Sequence, residues 1–293
     1  MIVEQVPESC PNLVSDVLAE SDLRTHADSP DKRIRQILSH VEHLGRQLEV
    51  DETYKTPTLD YELPASFLLS VVIPVYNEKD TIYTTIARVR ALPFPTQIIV
   101  VDDFSSDGTR TLLKEIAKIE GVRVVFKPQN QGKGAALRTG FTYARGSVVA
   151  VQDADLEYDP RDLVPMIRPI VEDSADVVYG SRFASHRKIS SSWLHQFGNR
   201  VLTVASNLFT GLRLTDMETC YKVFRRSVLK NIDLRQDRFG FEPEFTAKIA
   251  RQRYRVLELP IGYNPRSWDA GKKIGFRDGL NALYCIVRYG LSD

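Results

Sequence analysis

Cysteine is scarce, with three residues in 293, at Cys10, Cys220 and Cys285. So small and widely spaced a set builds neither a disulfide framework nor a zinc site, and reduced thiols are expected. No run approaches the roughly 18 apolar residues that a membrane-crossing helix needs. The N-terminal MIVEQVPESCPN lacks the basic-then-apolar order of a secretory signal, so a cytoplasmic protein is expected. There is no G-x-G-x-x-G turn and no G-x-x-x-x-G-K-[ST] loop, because QGKGAAL follows Lys133 with Gly134. That leaves dinucleotide and P-loop chemistry poorly supported. His26, His40, His43, His186 and His195 form no cluster with metal spacing.

What is present is an ordinary globular composition, 43% hydrophobic and 26% charged, in a chain long enough for one large α/β domain plus an extension. The net charge of +1 hides an asymmetry. Residues 1–66 carry 6 Lys+Arg against 13 Asp+Glu, a net of −7, and residues 67–293 carry 33 against 25, a net of +8. An acidic leader therefore precedes a basic body that suits an anionic ligand. In the leader, Ile34, Ile37, Leu38, Val41, Leu44 and Leu48 recur at helical spacing. One amphipathic helix is predicted there, followed by DETYKTPTLDYELPAS as a linker. The domain boundary is set at 66/67.

Beyond it, short β-branched runs alternate with helical stretches: LLSVVIPVY, TQIIVVDDF, GVRVVFKP, GSVVAVQDAD and ADVVYGSR, with helices near 79–92, 107–119, 132–144 and 161–172. This alternation predicts an α/β fold with a mainly parallel central sheet and helices on both faces. Ligands of such sheets bind beyond the carboxyl ends of the strands. The polar motifs fall there: PVYNE, DDFSSDGT, QNQGKG and QDADLE. In the last, Asp153, Asp155 and Glu157 alternate, so an extended backbone would point all three to one side. They read either as a solvated acidic loop or as oxygen ligands for a hard divalent cation.

Taken in order, VVIPVYNE, VVDDFSSDGT, N-x-G-K-G-x-A, DAD, GSR and DMETCYKVF resemble family 2 glycosyltransferases of the GT-A fold, over about Leu69 to Gly290. DADLEYDP and PRSWDAGKKIGFRDG are similar to the branch of polyprenyl-phosphate sugar synthases, such as dolichyl-phosphate mannose synthase. The resemblance implies an inverting, metal-dependent enzyme taking a sugar from a UDP- or GDP-sugar to a polyprenyl phosphate. A soluble metabolite or glycan is the alternative acceptor, and a non-catalytic sugar-nucleotide-binding module the third reading.

The same resemblance implies roles. Pro74, Tyr76, Glu78 and Asp103 would line the base and ribose, and Lys133 would approach phosphate or uracil. Asp153, Ala154 and Asp155 would sit at the diphosphate. Mg²⁺ or Mn²⁺ would be held by Asp153, Asp155 and Glu157, the last standing where relatives use Gln. Arg182 would meet a donor or acceptor phosphate. Arg266 and Lys273, with Lys272 as the alternative, would belong to a mobile basic loop closing over the diphosphate. Asp216 would lie at the acceptor, with Glu218 less favoured. Asp216 would be a general base if the acceptor is a hydroxyl and an orienting group if it is a phosphate, which is already an anion at neutral pH.

Two further stripes bear on partners. Leu194, Phe197, Val201, Ala205, Leu208 and Leu212, and later Phe276, Leu280, Leu283, Val287 and Leu291, repeat at helical spacing near basic residues. Each suits a bilayer surface, the protein body or a second subunit. A peripheral contact at the cytoplasmic face of the membrane, a membrane-anchoring partner and a homo-oligomer are all open, and no nucleic-acid partner is expected.

Overall fold

The computed structural model describes residues 54–184, 193–266 and 276–291. The chain divides into two compact units, Met1–Arg46 and Gln47–Asp293. The predicted leader helix lies outside the described residues, as do Lys273 and Lys272.

Seven strands form one sheet: β1 (Leu69–Val75), β2 (Thr96–Asp102), β3 (Val122–Phe126), β4 (Val148–Val151), β5 (Val177–Ser181), β6 (Lys222–Arg225) and β7 (Val256–Pro260), in the order β3-β2-β1-β4-β6-β5-β7. All pairings are parallel except those of β6, which runs antiparallel to both β4 and β5. The helices are α1 (Ile82–Arg90), α2 (Thr109–Ile116), α3 (Lys133–Phe141), α4 (Leu163–Val171), α5 (Trp193–Thr210), α6 (Val228–Asn231), α7 (Phe241–Arg251) and α8 (Phe276–Leu291).

The continuous apolar strands are explained by burial on both faces. Leu69, Val71, Ile73 and Val75 of β1 pack into one core with Ile82, Ile86 and Leu113. Val72 faces the other core, with Leu137, Phe245 and Ile286. The period of two sorts β2 and β4 likewise: Ile98, Val100, Val148 and Ala150 to the first core, Ile99, Val101, Val149 and Val151 to the second.

The five strands read from the sequence are present, and β6 and β7 are additions. β6 has only four residues, three of them inside a motif read for its chemistry, and β7 is an edge strand with no fully buried side chain. The expected linker is also corrected from residue 54 onward. Leu59, Tyr61 and Leu63 pack on the first core, Tyr61 donates its hydroxyl to Val164 O at 2.7 Å, and Tyr54 donates to Asp159 Oδ1 at 2.7 Å. Two leucines and two tyrosines give that stretch enough surface to adhere.

The strand order reverses between β1 and β4, where β2 lies to one side and β6 to the other. The carboxyl ends of these two strands frame the crevice in which an open α/β sheet takes its ligands.

Candidate functional site

Two loops at the crevice are stitched together by their own polar side chains. Asn77, at φ 56°, donates its N–H to Ser105 Oγ (2.9 Å) and accepts from Ser106 N (2.8 Å). Glu78 N donates to Thr109 Oγ1 and Lys79 N to Asp107 Oδ2. The side chain of Asn77 therefore ties PVYNE to DDFSSDGT and does not cap α1, whose first residues are preceded by Thr81. Pro74 is the penultimate residue of β1, and Tyr76, half-buried, follows the strand.

Asp103 turns to the next loop. Its carboxylate accepts from Gln131 N (3.0 Å) and Gly132 N (2.6 Å), and Lys127 Nζ is 3.1 Å away. It thereby fixes the chain that enters α3. The flanking glycines are required: Gly132 has φ +98°, and a Cβ on Gly132 or Gly134 would strike the backbone oxygens of Asp237 or Gln236. Lys133 is delivered from this pinned loop to the strand end of β4. Its Nζ stands 2.8 Å from Asp153 Oδ1, donates to Cys220 Sγ at 2.6 Å, and lies 3.7 Å from Glu242 Oε1. Burial works to lower the Lys133 pKa, and the charge of Asp153 overrides it, holding the ammonium well above its usual value. Asp153 is correspondingly held below the usual carboxylate range by Lys133, against the effect of its burial.

The three alternating carboxylates do not converge. β4 ends at Val151, and Leu156 adopts φ 62°, so the extended geometry is lost before Glu157. Asp155 Oδ1 accepts from Glu157 N at 3.1 Å, a local turn. Glu157 instead accepts from Arg266 N (2.9 Å) and from the Tyr263 hydroxyl (3.2 Å). Among the described residues, no three His, Cys, Asp or Glu side chains gather as a metal-ligand set. Asp155 remains the strained group, its carboxyl pushed up to about 7 by burial and by the charges of Asp153 and Glu157. Ala154 is buried, and its carbonyl accepts the Thr85 hydroxyl at 3.1 Å, fixing the turn on α1.

Arg266 closes this side. Its guanidinium donates to Glu78 Oε2 (2.7 Å) and Oε1 (3.3 Å) and to Asp155 O (2.8 Å). The first and fourth strand-end motifs are thus joined by one planar cation.

The far side of the crevice is built around Asp216, which is 0% exposed. Oδ2 accepts from Arg182 N (3.0 Å) and Nε (2.7 Å), and Oδ1 from Arg182 NH2 (2.7 Å) and Asn199 Nδ2 (3.0 Å). Tyr263 lies under the Arg182 guanidinium at 5.3 Å and leads to Tyr158 and Tyr221, which stack at 4.8 Å. Glu218, the alternative acceptor-side acid, has its carboxyl pushed up to about 8 by burial and by the charge of Glu242. Glu218 Oε1 and Glu242 Oε2 are enclosed without hydrogen-bond partners.

Several members of this arrangement escaped the sequence reading. Asn199 comes from the middle of an apolar helix. Glu258 of β7 accepts from Thr215 N, from the Thr215 hydroxyl and from Asp216 N at 2.8–3.0 Å, and so sets the backbone that carries Asp216. Tyr263, Cys220 and Glu242 likewise enter only through folding. An acidic residue alternating with apolar ones in VLELP was the available signal for Glu258.

A sequence profile of Glycosyl transferase family 2 matches residues 70–233. The chain is similar to the undecaprenyl-phosphate 4-deoxy-4-formamido-L-arabinose transferase of Aeromonas hydrophila, with 30% identity over 75% of this chain and 67% of that protein. It is also similar to the polyprenol monophosphomannose synthase of Mycolicibacterium smegmatis, with 29% identity over 75% of this chain and 86% of that protein. It spans about two thirds of the length of several such relatives. Among solved structures, glucosyl-3-phosphoglycerate synthase from Mycobacterium tuberculosis in complex with UDP shares the fold, with TM-score 0.57 and 20% identity over 78% of this chain and 82% of that one.

Proposed function

The chain belongs to glycosyl transferase family 2 and is a glycosyltransferase, and from that premise we propose that it moves a sugar from a UDP- or GDP-sugar to a polyprenyl phosphate, with inversion at the anomeric carbon. The observation that supports a phosphate acceptor is the state of Asp216. A carboxylate has about four acceptor sites, and Asp216 already fills them with three donors of Arg182 and the amide of Asn199. Such a group orients a cation and is badly placed to take a proton. A phosphate oxygen arrives deprotonated and needs no base, whereas a hydroxyl would need one. Arg182, held by Asp216, offers a fixed charge for an anionic nucleophile.

On the donor side, the strand-end loops place Tyr76, Glu78 and the Asp103-pinned Lys133 loop around the crevice where a nucleotide would lie. The residues fit a divalent ion. The donor set is oxygen only, and Asp155 is a carboxylate repelled by Asp153 and Glu157 and satisfied by one backbone N–H. Asp153 and Asp155 would hold Mg²⁺ or Mn²⁺, which when bound neutralises charge growing on the departing diphosphate. Lys133 already balances Asp153 and adds a cation to the same place.

A transfer assay with labelled UDP- and GDP-sugars, a short-chain prenyl phosphate and a panel of soluble hydroxyl acceptors tests the proposal. Asp216→Asn should keep measurable transfer to the prenyl phosphate, with a pH profile that follows the acceptor's own ionisation. A rate loss of about 10²–10⁴, together with disappearance of a carboxylate limb from the pH profile, would point to a hydroxyl acceptor and overturn the phosphate.

A further inference from the structure

Four successive backbone N–H groups in the loop that carries Asp216 donate to side chains. Leu214 N donates to Asn207 Oδ1 (3.1 Å), Thr215 N and Asp216 N to the carboxylate of Glu258 (2.9 and 3.0 Å), and Met217 N to Thr203 Oγ1 (3.1 Å). Asn207 also donates through Nδ2 to Leu214 O at 2.8 Å, so its amide pairs with both polar atoms of that residue as a neighbouring strand would. A buried N–H that loses its partner costs its desolvation, so a loop held in this way follows the side chains that hold it.

Two of the three holders stand on one edge of α5. Thr203 and Asn207 are one helical turn apart, and Asn199, which donates to Asp216 Oδ1, lies one turn before them. The chain reverses at Gly211, at φ 71°, and returns along that edge with Leu214 beside Asn207 and Met217 beside Thr203. Glu258 of β7 takes the two residues between them. Thr203, Asp216 and Met217 are all buried, so bulk water is kept from this end of the loop. Asp216 in turn aims Arg182, which supplies three of its four hydrogen bonds. A shift of the loop backbone therefore reaches the guanidinium through one carboxylate.

We infer that Thr203 and Asn207 are positioning residues for the acceptor site: they set the register of the Leu214–Met217 backbone on α5 and, through Asp216, the place of the Arg182 guanidinium. This rests on the reading of Arg182 and Asp216 as the acceptor side. Both act through the backbone and leave the reacting atoms to Arg182. Displacing a group that orients a reactant by about 1 Å costs up to about 10²-fold in rate, and the loss of one or two neutral hydrogen bonds should cost less than that.

Thr203→Val keeps the shape of the side chain and removes the hydroxyl, Thr203→Ser restores a hydroxyl, and Asn207→Ala removes both contacts to Leu214. The full-length variants are assayed for transfer from labelled UDP- and GDP-sugars to a short-chain prenyl phosphate and to soluble hydroxyl acceptors, beside a nucleotide titration with Mn²⁺. Thr203→Val should raise the acceptor KM about fivefold and Asn207→Ala about tenfold, with nucleotide affinity within about twofold of wild type. Thr203→Ser should return the acceptor KM to within about twofold. A lower Tm with unchanged acceptor kinetics well below it would make both residues structural and overturn the inference. So would a serine variant as impaired as the valine one, because the hydroxyl would then not be the group that acts. An equal loss of nucleotide affinity would spread the effect beyond the acceptor side and overturn it too. Transfer to a hydroxyl acceptor alone, with the same rise in its KM, keeps the positioning role and removes the phosphate acceptor. Absence of transfer to any acceptor removes the acceptor site and the inference with it.

Discussion

From β3 to β4 the sheet is parallel, and each strand ends in a short polar loop that reaches the crevice. From β6 to β7 it contains an antiparallel strand, an exposed edge and connections that run through α5 or α7. The first half assembles the proposed donor side from contiguous motifs, PVYNE, DDFSSD, QGKG and DADLE, each following a strand. The second half assembles the proposed acceptor side from single residues: Arg182 lies 34 positions from Asp216, Asn199 lies 17 from it, and Glu258 lies 42. A site made of strand-end motifs is local in the chain, and a site made of side chains from four elements exists only after tertiary packing. The donor half should therefore fail by loss of individual charges, and the acceptor half by loss of the groups that hold other groups in place.

The largest effect is expected in the donor half. Asp155→Asn removes a carboxylate that Asp153 and Glu157 repel, so the metal-free protein should melt at a higher temperature than wild type. Transfer should nevertheless fall by about 10² or more, because the oxygen lost is one that would hold the divalent ion. Tm without metal and rate with Mn²⁺ are the two readouts. A variant that is both destabilised and active would make Asp155 an ordinary structural carboxylate.

The acceptor half is probed next through Glu258→Gln, because Glu258 touches only donors, namely two backbone N–H groups and the Thr215 hydroxyl. An amide presents one acceptor and one N–H, which would face another N–H. The Asp216 backbone should shift, the rate should fall about tenfold, and the acceptor KM should rise while the affinity for nucleotide stays constant. Glu258→Asp should recover part of the rate. A lower Tm with unchanged kinetics well below it would reduce Glu258 to a structural role and break the contrast between the halves.

A smaller, pH-dependent effect comes from the enclosed pair behind the acceptor loop. Glu218 has its carboxyl raised to about 8 in the folded chain, against an unfolded value of about 4.3. Between those values the folded state holds a proton that the unfolded state has released, so stability falls as pH rises through the window and levels off above it. Tm should decline from pH 5 to pH 8.5, and Glu218→Gln should flatten part of that decline. A variant with the wild-type slope would show that Glu218 does not hold the proton.

The contrast also explains what could be read before folding. The five strands are carried by short apolar, β-branched-rich runs, most of them buried on both faces, so their existence, order of motifs and crevice were legible, as was the place of Lys133 between glycines. The expected convergence of Asp153, Asp155 and Glu157 is not met, because it assumed an extended backbone where Leu156 turns to positive φ. β6 was hidden by its length, and β7 by its edge position. Asn199 carries no local signal and Glu258 only its place among the apolar residues of VLELP, since an asparagine in a helix and a glutamate in an edge strand read as solvated until their partners are known.

The smallest predicted effect tests whether the donor half is as self-contained as its motifs suggest. Tyr54, outside the sheet, donates its hydroxyl to Asp159 Oδ1, and Asp159 also receives Arg161 through backbone and guanidinium at the end of the DADLEYDP loop. The Tyr54 ring is faced by Arg161 at 4.4 Å and Arg88 at 5.1 Å. Tyr54→Phe keeps the ring and both cation–π contacts and deletes one half-buried hydrogen bond, a loss of about 1 kcal/mol in stability. Asp159 retains its bonds from Arg161, so the turn that carries Asp153 and Asp155 should hold, and nucleotide affinity with Mn²⁺ should stay within about twofold. Chemical denaturation and nucleotide titration of the same variant separate the two quantities. A tenfold loss of nucleotide affinity would mean that the carboxylate loop borrows its geometry from the stretch that precedes β1, and the proposed donor side would then be as dispersed in the chain as the acceptor side.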